Sequence, residues 1–171
     1  GKWKYGDCAI LYRTNAQSRM FEEKFLYANV PYKIVGGVNF YSRKEIKDVI
    51  AYLKTIANGK DDLAVRRIIN VPKRGIGATT ISRVQDYATE HGASFYDALR
   101  VAETIPGIGK SVAKLQAFVQ MIQVLRTKQE FYKVKSLIED ILEQTGYMKE
   151  LQAEGTDEAL DRMANVDELL N

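Results

Sequence analysis

The sequence is poor in the residues that most often carry catalysis and redox chemistry. It has a single cysteine, Cys8, so no disulfide can form within the chain, which favours a reducing, cytosolic setting. It has a single histidine, His91, near a predicted helix end, where a solvated or dipole-compensating role is the simplest interpretation. No Ser, His and Asp triad and no metal-binding cluster can be assembled from the sequence. The sequence therefore predicts neither a catalytic triad nor a metal site.

Long apolar runs and a strong net charge are also missing. No apolar run approaches the roughly 20 residues that span a bilayer, and no signal peptide opens the chain, so no membrane partner is expected. Lys and Arg outnumber Asp and Glu by only 25 to 22, and a net charge of +3 does not by itself argue for nucleic-acid binding. Any such binding must come from a local patch. Because the chain starts at Gly1 and stops at Asn171 inside an amphipathic pattern, we expect both ends to be cut from a longer chain.

The first part of the sequence predicts a strand, a helix and a second strand. Residues 7–13 (DCAILYR) are apolar and β-friendly, which indicates a buried strand that delivers Tyr12 and Arg13 to its carboxyl end. Asn15 caps a predicted helix whose apolar face consists of Met20, Phe21, Phe25 and Leu26, and residues 32–35 resume strand character. This is βαβ spacing, with the remaining strands of a parallel sheet expected elsewhere. An unpaired edge of the Cys8 strand would invite dimer formation in a fragment.

The rest of the sequence predicts helices. Apolar residues recur at helical spacing, and capping residues, glycines and prolines mark the ends. The predicted helices cover residues 42–58, 61–70, 80–91, 94–103, 110–128, 134–145, 147–154 and 156–170. The predicted fold class is therefore α/β but predominantly helical, with a partial RecA-like βαβ unit followed by a helical array.

Gly-Ile-Gly occurs twice between predicted helices, in hairpin 1 (residues 71–77, VPKRGIG) and hairpin 2 (residues 104–109, TIPGIG). Both resemble helix-hairpin-helix elements, in which the glycines permit a tight turn, the isoleucine anchors it, and the next helix offers unpaired N–H groups to an anion. The predicted phosphate-contacting residues are Lys73, Arg74, Gly75, Gly77 and Thr80, with Arg83 nearby, and then Gly107, Gly109, Lys110, Ser111 and Lys114. Either hairpin alone is equally well explained as a simple turn. Two hairpins with basic neighbours favour DNA.

Gly109-Lys110-Ser111 also matches the end of an ATPase phosphate-binding loop, but the rest of that motif fails. Its first glycine should lie at position 104, which is Thr104, and the preceding segment is helical rather than a strand. No Asp-Glu pair follows an apolar strand to hold Mg²⁺. We therefore expect the chain alone neither to hydrolyse ATP nor to bind it tightly.

One longer stretch carries a specific resemblance. Residues 9–19 (AILYRTNAQSR), followed by Glu22-Glu23, closely resemble motif IV of the superfamily 1A DNA helicases. The same order and spacing continue through residues 30–37 (VPYKIVGG), 40–48 (FYSRKEIKD) and 69–77 (INVPKRGIG). The resemblance is to the UvrD/PcrA/Rep family, nearest to the PcrA branch common in Gram-positive bacteria, and it covers nearly the whole chain.

The resemblance implies a motor of two RecA-like domains, 1A and 2A, with insertions 1B and 2B. Residues 1–104 would form the first part of 2A, and residues 105–171 the start of 2B, with the boundary at the Pro106-Gly107 break. Tyr12 would stack on adenine and Arg13 would reach the nucleotide phosphates in a catalytic role, as the chemistry of an aromatic face and an arginine finger allows. Without the motif, packing would explain Tyr12 and a salt bridge would explain Arg13.

The function that the resemblance implies is ATP-dependent 3′ to 5′ DNA unwinding in replication and repair. The intact parent would need ATP and Mg²⁺, and its partners would be single-stranded and duplex DNA and the remaining helicase domains. Its expected location is the bacterial cytoplasm, at the nucleoid. One alternative is a non-enzymatic helix-hairpin-helix DNA-binding module. Another is a protein-interaction scaffold in which both hairpins are only turns.

Overall fold

The computed structural model describes residues 3–171, which are built from α-helices and short 3-10 turns. In chain order the helices are α1 (Ser18–Tyr27), α2 (Lys44–Ala57), α3 (Asp62–Ile68), α4 (Ala78–Glu90), α5 (Phe95–Arg100), α6 (Val112–Lys128), α7 (Val134–Thr145), α8 (Tyr147–Glu154) and α9 (Asp157–Leu170). Their bounds agree closely with the predicted helices. None of the helices over this range is long and apolar enough to cross a membrane.

The predicted βαβ unit is wrong. Between residues 3 and 171 no residue lies in a β-strand. The backbone at Cys8 is extended, but the predicted strands at 7–13 and 32–35 pair neither with each other nor with another segment. An extended segment becomes a strand only when a neighbour takes its N–H and C=O groups, and none does so here. Because the segment around Cys8 is not a strand, it has no strand edge through which the expected dimer could form.

The chain divides into two compact units. The first unit comprises the residues up to Lys47 together with Leu151–Asn171, and the second comprises Asp48–Glu150. The divisions therefore lie within α2 and α8. The predicted domain boundary at residue 105 lies inside the second unit, where Ile105 is buried. That boundary does not separate the compact units of this chain, and the assignment of either unit to 2A or 2B stays a prediction.

The first unit differs from the amphipathic pattern expected for α1. Met20 and Leu26, which were predicted to face the core, are exposed, whereas the buried positions of α1 are Ser18 and Glu22. The apolar interior of this unit includes Phe40 and other fully buried side chains from α2 and α9. Phe21 and Phe25 are half-buried, so hydropathy predicted part of the packed face of α1 but missed that Ser18 and Glu22 are its buried residues.

A cluster of polar side chains is also buried in the first unit. The Arg43 guanidinium donates to Asn165 Oδ1 at 2.6 Å and to Ser18 Oγ at 2.7 Å, and the Asn165 amide donates to Glu45 at 2.6 Å. Glu22 accepts from the Ser18 hydroxyl at 2.7 Å. Burying these groups is tolerated because each has hydrogen-bonding partners. The cluster joins α1, α2 and α9 within the first unit.

The second unit has the larger apolar core. Helix α5 packs against α3, α4 and α6, and α6 packs against α7. The largest fully buried side chains are Tyr52, Ile56, Ile68, Ile69, Phe95, Leu99, Leu115, Phe118, Ile122 and Leu125. The central isoleucines of both hairpins, Ile76 and Ile108, belong to the same core. Both turns are therefore anchored in one packed body.

Candidate functional site

Hairpin 1 is a tight turn organised by Asn70. Its side-chain oxygen accepts from the N–H groups of Arg74 at 2.8 Å and Ile76 at 3.3 Å. Gly75 has φ +66°, a left-handed conformation that glycine adopts without strain. Gly77 then takes the N-cap position of α4, and no side chain caps the helix there. The first N–H groups of α4 consequently lack both an intrahelical and a side-chain acceptor.

Arg74 points back onto the protein. Its guanidinium donates to the carbonyl oxygens of Ile68 at 2.8 Å and Ile69 at 3.1 Å, and to the Tyr52 hydroxyl at 2.6 Å. It also lies 5.2 Å from the centroid of the Phe118 ring. Burial raises the pKa of Tyr52, and the Arg74 charge offsets part of that effect. Arg74 is therefore half-buried, and its hydrogen bonds stabilise the segment that leads into hairpin 1.

Hairpin 2 is also a turn with left-handed glycine, but a 3-10 turn leads from it into the next helix. Gly107 and Gly109 have φ +76° and +54°, and Ile108 between them is buried. A 3-10 turn, Gly109–Ser111, leads into α6, whose N-cap residue Ser111 makes no capping hydrogen bond through its side chain. Lys110 is exposed at this entry. Because Val112 N donates to Gly109 O and Ser111 N donates to Ile108 O, the 3-10 turn already engages these N–H groups at the entry to α6, and the exposed Lys110 is the group that this entry offers to an anion.

The two hairpins contact each other. Lys114 Nζ of α6 donates to the carbonyl oxygen of Gly75 in hairpin 1 at 2.9 Å. In the opposite direction, Arg83 of α4 donates to the carbonyl oxygen of Gly107 in hairpin 2. The hydroxyls of Thr80 and Ser111, from the first turns of the two helices, lie 3.2 Å apart. The structure thus brings the starts of α4 and α6 side by side.

The chain that follows each hairpin is free of acidic residues, although Glu103 directly precedes hairpin 2. Residues 63–85 contain five Lys and Arg, and residues 104–129 contain four, without one Asp or Glu in either stretch. Lys73 and Lys110 are exposed, and neither side chain has a hydrogen-bonding or ionic partner within residues 3–171. One carboxylate reaches the site from outside these stretches, since Glu150 accepts from the backbone N–H of Lys73 at 3.1 Å. The paired helix starts therefore carry a local positive charge that the overall composition conceals.

The motif IV residues lie in the first unit. Tyr12 is half-buried and Arg13 is exposed at a surface depression of about 460 Å³, which Met20, Phe21 and Glu168 also line. Neither the Tyr12 hydroxyl nor the Arg13 guanidinium has a bonding partner in the part of the chain that the structure describes. An aromatic face and a free guanidinium thus border the same open depression.

Gln17 fixes the backbone behind this corner. Its side-chain oxygen accepts from the N–H groups of Arg13 at 2.9 Å and Thr14 at 3.2 Å, and it lines the depression. Sequence reasoning assigned Gln17 no role, although a Gln three residues after Thr14 is the spacing of a capping box. Asn70 of hairpin 1 was missed in the same way, and its signal was an Asn at the start of a turn.

A charged pair on α1 supports the same region. Arg19 donates to Glu23 at 2.8 Å and to the backbone carbonyl oxygen of Glu168, and Tyr41 donates to Glu23 at 2.8 Å. The hydrogen bond from Arg19, followed by that from Tyr41, lowers the pKa of Glu23. Glu23 is therefore an ion-pair acceptor rather than an acid for catalysis. No group of His, Cys, Asp and Glu side chains within residues 3–171 is arranged to hold a metal ion.

Comparison with known proteins agrees with the motif pattern. The family model for the UvrD-like helicase C-terminal domain matches residues 1–171. The chain belongs to the UvrD-like helicase family. Within this family it is 47% identical over 169 residues to a protein named ATP-dependent DNA helicase PcrA from Staphylococcus aureus, and these residues are 98% of this chain and 23% of that protein.

A second relative in the family gives the same result. The PcrA helicase of Bacillus subtilis is 47% identical over 171 residues, which are 100% of this chain and 23% of the relative. The resemblance of residues 9–77 to the UvrD/PcrA/Rep family is therefore confirmed. The chain spans about a quarter of the length of the curated relatives it matches.

Proposed function

We propose that this chain is part of an ATP-dependent 3′ to 5′ DNA helicase that acts in bacterial replication and repair, and that its own contribution is a DNA-backbone grip and one corner of a nucleotide site. The observation that carries the proposal is the meeting of hairpins 1 and 2, which places the uncapped start of α4 beside the turn that leads into α6. A free helix start and a cluster of cations favour an anion with closely spaced charges. The DNA backbone is such an anion.

The contacting groups form a smaller set than the sequence suggested. Of the exposed cations at the hairpins, Lys73 and Lys110 have no bonding partner within residues 3–171, and the N–H groups at the start of α4 are the backbone donors. The hydroxyls of Thr80 and Ser111 lie at the junction and can turn toward a phosphate oxygen. These contacts would position DNA without reading its sequence. Because hairpins 1 and 2 share one core, we also infer that both belong to one DNA-binding body.

The Tyr12 and Arg13 corner fits one part of a nucleotide. The half-buried Tyr12 ring offers a flat apolar face to a base, and the exposed Arg13 guanidinium can donate to a phosphate oxygen. Gln17 keeps the Arg13 backbone in place so that this charge does not have to be ordered anew for each nucleotide. Hydrolysis of Mg²⁺-bound ATP would supply the free energy for unwinding. The loop that holds the triphosphate would come from the remaining helicase domains.

DNA binding by the chain tests the hairpin assignment. We expect a fluorescein-labelled duplex with a single-stranded tail to bind with an affinity that falls as salt rises. Lys73→Gln and Lys110→Gln should each weaken binding and make the salt dependence shallower. Lys60→Gln, which removes an exposed charge outside the hairpins, is the matched control and should have little effect. Binding that is insensitive to salt, or that survives the paired Lys73 and Lys110 substitutions unchanged, would overturn the assignment.

The N-cap position of α4 gives a second test. A Cβ at Gly77 meets no atom within 4 Å, and its φ of −79° suits any residue. Gly77→Ser should therefore keep or raise the melting temperature, because serine is a favourable N-cap residue. It should nevertheless weaken DNA binding, since its side chain would occupy the N–H groups that a phosphate needs. An unchanged affinity would argue that no phosphate approaches the start of α4.

The nucleotide corner is tested in the intact helicase. Arg13→Ala should lower ATP turnover far more than DNA affinity, because the guanidinium acts on phosphate and not on DNA. Tyr12→Phe should retain most of the nucleotide affinity that Tyr12→Ala loses, since stacking needs the ring and not the hydroxyl. Equal losses of turnover and DNA affinity in Arg13→Ala would contradict the phosphate role.

A further inference from the structure

We infer that hairpins 1 and 2 form one two-part grip in which each turn is held by a basic residue from the helix of the other. The inference rests on the proposed DNA-binding function, and it gives Arg83 and Lys114 a positioning role. Lys114 follows hairpin 2 yet donates to Gly75 O in hairpin 1 at 2.9 Å, while Arg83 follows hairpin 1 yet donates to Gly107 O in hairpin 2. The two bonds are crossed, so neither turn is held by its own helix alone.

The glycines explain why these bonds can form at these carbonyls. A Cβ built on Gly75 would lie 2.8 Å from Lys114 Nζ, and one built on Gly107 would lie 2.7 Å from an Arg83 guanidinium nitrogen. Only a residue without a side chain lets the basic groups come this close at the observed φ values of +66° and +76°. The first glycine of each Gly-Ile-Gly therefore serves the contact with the other hairpin as well as its own turn.

The crossed bonds change what these basic residues can do for DNA. The Nζ of Lys114 is engaged with a backbone carbonyl, whereas Lys73 and Lys110 have no side-chain partner within residues 3–171. Fixing the two turns in advance means that neighbouring phosphates can be bound together without first ordering one hairpin against the other. The sequence pattern cannot distinguish such a positioning lysine from a phosphate-contacting one, because both lie beside a glycine turn.

Double-mutant cycles on DNA affinity separate the two roles. If Lys114 holds hairpin 1, then Lys114→Gln should weaken DNA binding severalfold and should reduce the further loss caused by Lys73→Gln, in hairpin 1, to less than about twofold. The loss caused by Lys110→Gln, in its own hairpin 2, should persist in the Lys114→Gln background. Arg83→Gln should show the opposite pattern, with reduced sensitivity to Lys110→Gln and retained sensitivity to Lys73→Gln. This crossing of effects is a result that simple loss of charge does not produce.

The outcomes separate failure of the grip from failure of the proposed function. If the 171-residue chain shows no salt-dependent binding to the labelled tailed duplex, the proposed function fails. If it binds and all four pairs are additive, Arg83 and Lys114 are ordinary phosphate contacts and the crossed grip is wrong. Lys114→Arg retains a donor for Gly75 O and should restore the full sensitivity to Lys73→Gln. Should Lys114→Gln lower the melting temperature strongly, this conservative variant decides, because reduced sensitivity to Lys73→Gln in Lys114→Arg, where the bond can still form, would overturn the inference.

Discussion

At the scale of single residues, the basic side chains of the second unit are as important for holding backbone as for charge. Four of them donate to backbone carbonyl oxygens that belong to a different helix or turn, namely Arg74, Arg83, Lys114 and Arg126. A guanidinium has five donors in a fixed plane, so it can satisfy several carbonyls at once. These carbonyls lie at helix ends and tight turns, where the regular backbone donors run out, although Ile68 O also accepts from Val71 N at 3.0 Å. The side chains thereby complete the hydrogen bonding of the fold.

Arg126 is the clearest case, and it leads to a stability prediction. From α6 its guanidinium donates to Ile56 O and Thr55 O, both at 2.9 Å, at the end of α2. Arg126→Met keeps the apolar stem but leaves these carbonyls without a donor. We expect the free energy of unfolding to fall by about 1–3 kcal/mol, the usual cost of unsatisfied buried polar groups. Urea denaturation monitored by circular dichroism measures the change.

A matched substitution on the surface serves as the control. Arg100 pairs with Asp97 at 3.7 Å while both side chains stay more than half exposed. Arg100→Met should therefore change the free energy of unfolding by less than about 0.5 kcal/mol. Equal losses in the Arg126 and Arg100 variants would mean that the carbonyl bonds of Arg126 contribute nothing specific.

Residue identity alone did not reveal which cations face outward. Lys73 and Arg74 are neighbours with the same charge, yet the first is exposed and the second is half-buried against Tyr52 and Phe118. The hairpin motif predicted that both contact phosphate, because a motif specifies spacing and composition. The direction of each side chain depends on which carbonyls and rings lie nearby in the folded chain. That information comes from segments distant in sequence.

At the scale of elements, helix ends are set by local capping, and Asp61 provides a pH test. As the N-cap of α3, its carboxylate accepts from Ala64 N at 3.0 Å, and it also accepts from Lys54 at 3.2 Å. The backbone bond, followed by that from Lys54, lowers the pKa of Asp61 below its ordinary value. A carboxylate with a lowered folded-state pKa stabilises the fold above its ordinary pKa, and this contribution is lost as the pH falls through the folded-state value.

Asp61→Asn isolates this titration, since asparagine still caps a helix but carries no charge. The wild-type chain should melt at a higher temperature than Asp61→Asn at neutral pH. The two melting curves should converge as the pH falls below the ordinary aspartate pKa of about 3.9. Melting temperatures measured across this range test the idea. A difference that stays constant down to the lowest pH would show that the Asp61 charge plays no part.

The neutral cap of α9 gives a prediction that does not depend on pH. The Thr156 hydroxyl accepts from Ala159 N at 3.1 Å. Thr156→Ala should cost about 0.5–2 kcal/mol in the free energy of unfolding, whereas Thr156→Ser should retain most of the stability because it keeps the acceptor. Chemical denaturation of both variants distinguishes a capping bond from loss of the threonine methyl group. Equal losses in the two variants would assign the effect to the methyl.

The helices were predictable from the sequence because their signals are local. Apolar spacing and end residues predicted α6 and α7 almost to the residue, since a helix satisfies its own backbone hydrogen bonds. The strands were not predictable in the same way, because residues 7–13 have the right composition but no neighbour with which to pair. Leu11 is 96% exposed where a buried strand was expected. A strand is a property of its partners as much as of its own residues.

At the scale of the whole molecule, the chain is two compact units with different interiors. The first contains the buried polar cluster around Arg43 and many exposed apolar side chains, including Trp3, Leu11 and Tyr27. The second contains both hairpins and the large apolar core. The Pro106-Gly107 break predicts a domain boundary at residue 105, and this stays a prediction; in this chain Ile105 and Ile108, on its far side, belong to that core. A turn signal by itself marks only the end of an element.

Because the core, the hairpins and the crossed bonds all lie in the second unit, that unit should function when it is separated from the first. A piece containing residues 44–154 keeps α2 and α8 whole, whereas residues 48–150 would cut both helices. We expect the longer piece to unfold in a single cooperative transition and the shorter one to be less stable, as denaturant titration will show. The longer piece should also retain the salt-dependent affinity of the full chain for the labelled tailed duplex. If it folds cooperatively but binds the duplex much more weakly, the DNA grip requires residues of the first unit, and the assignment to hairpins 1 and 2 alone is incomplete.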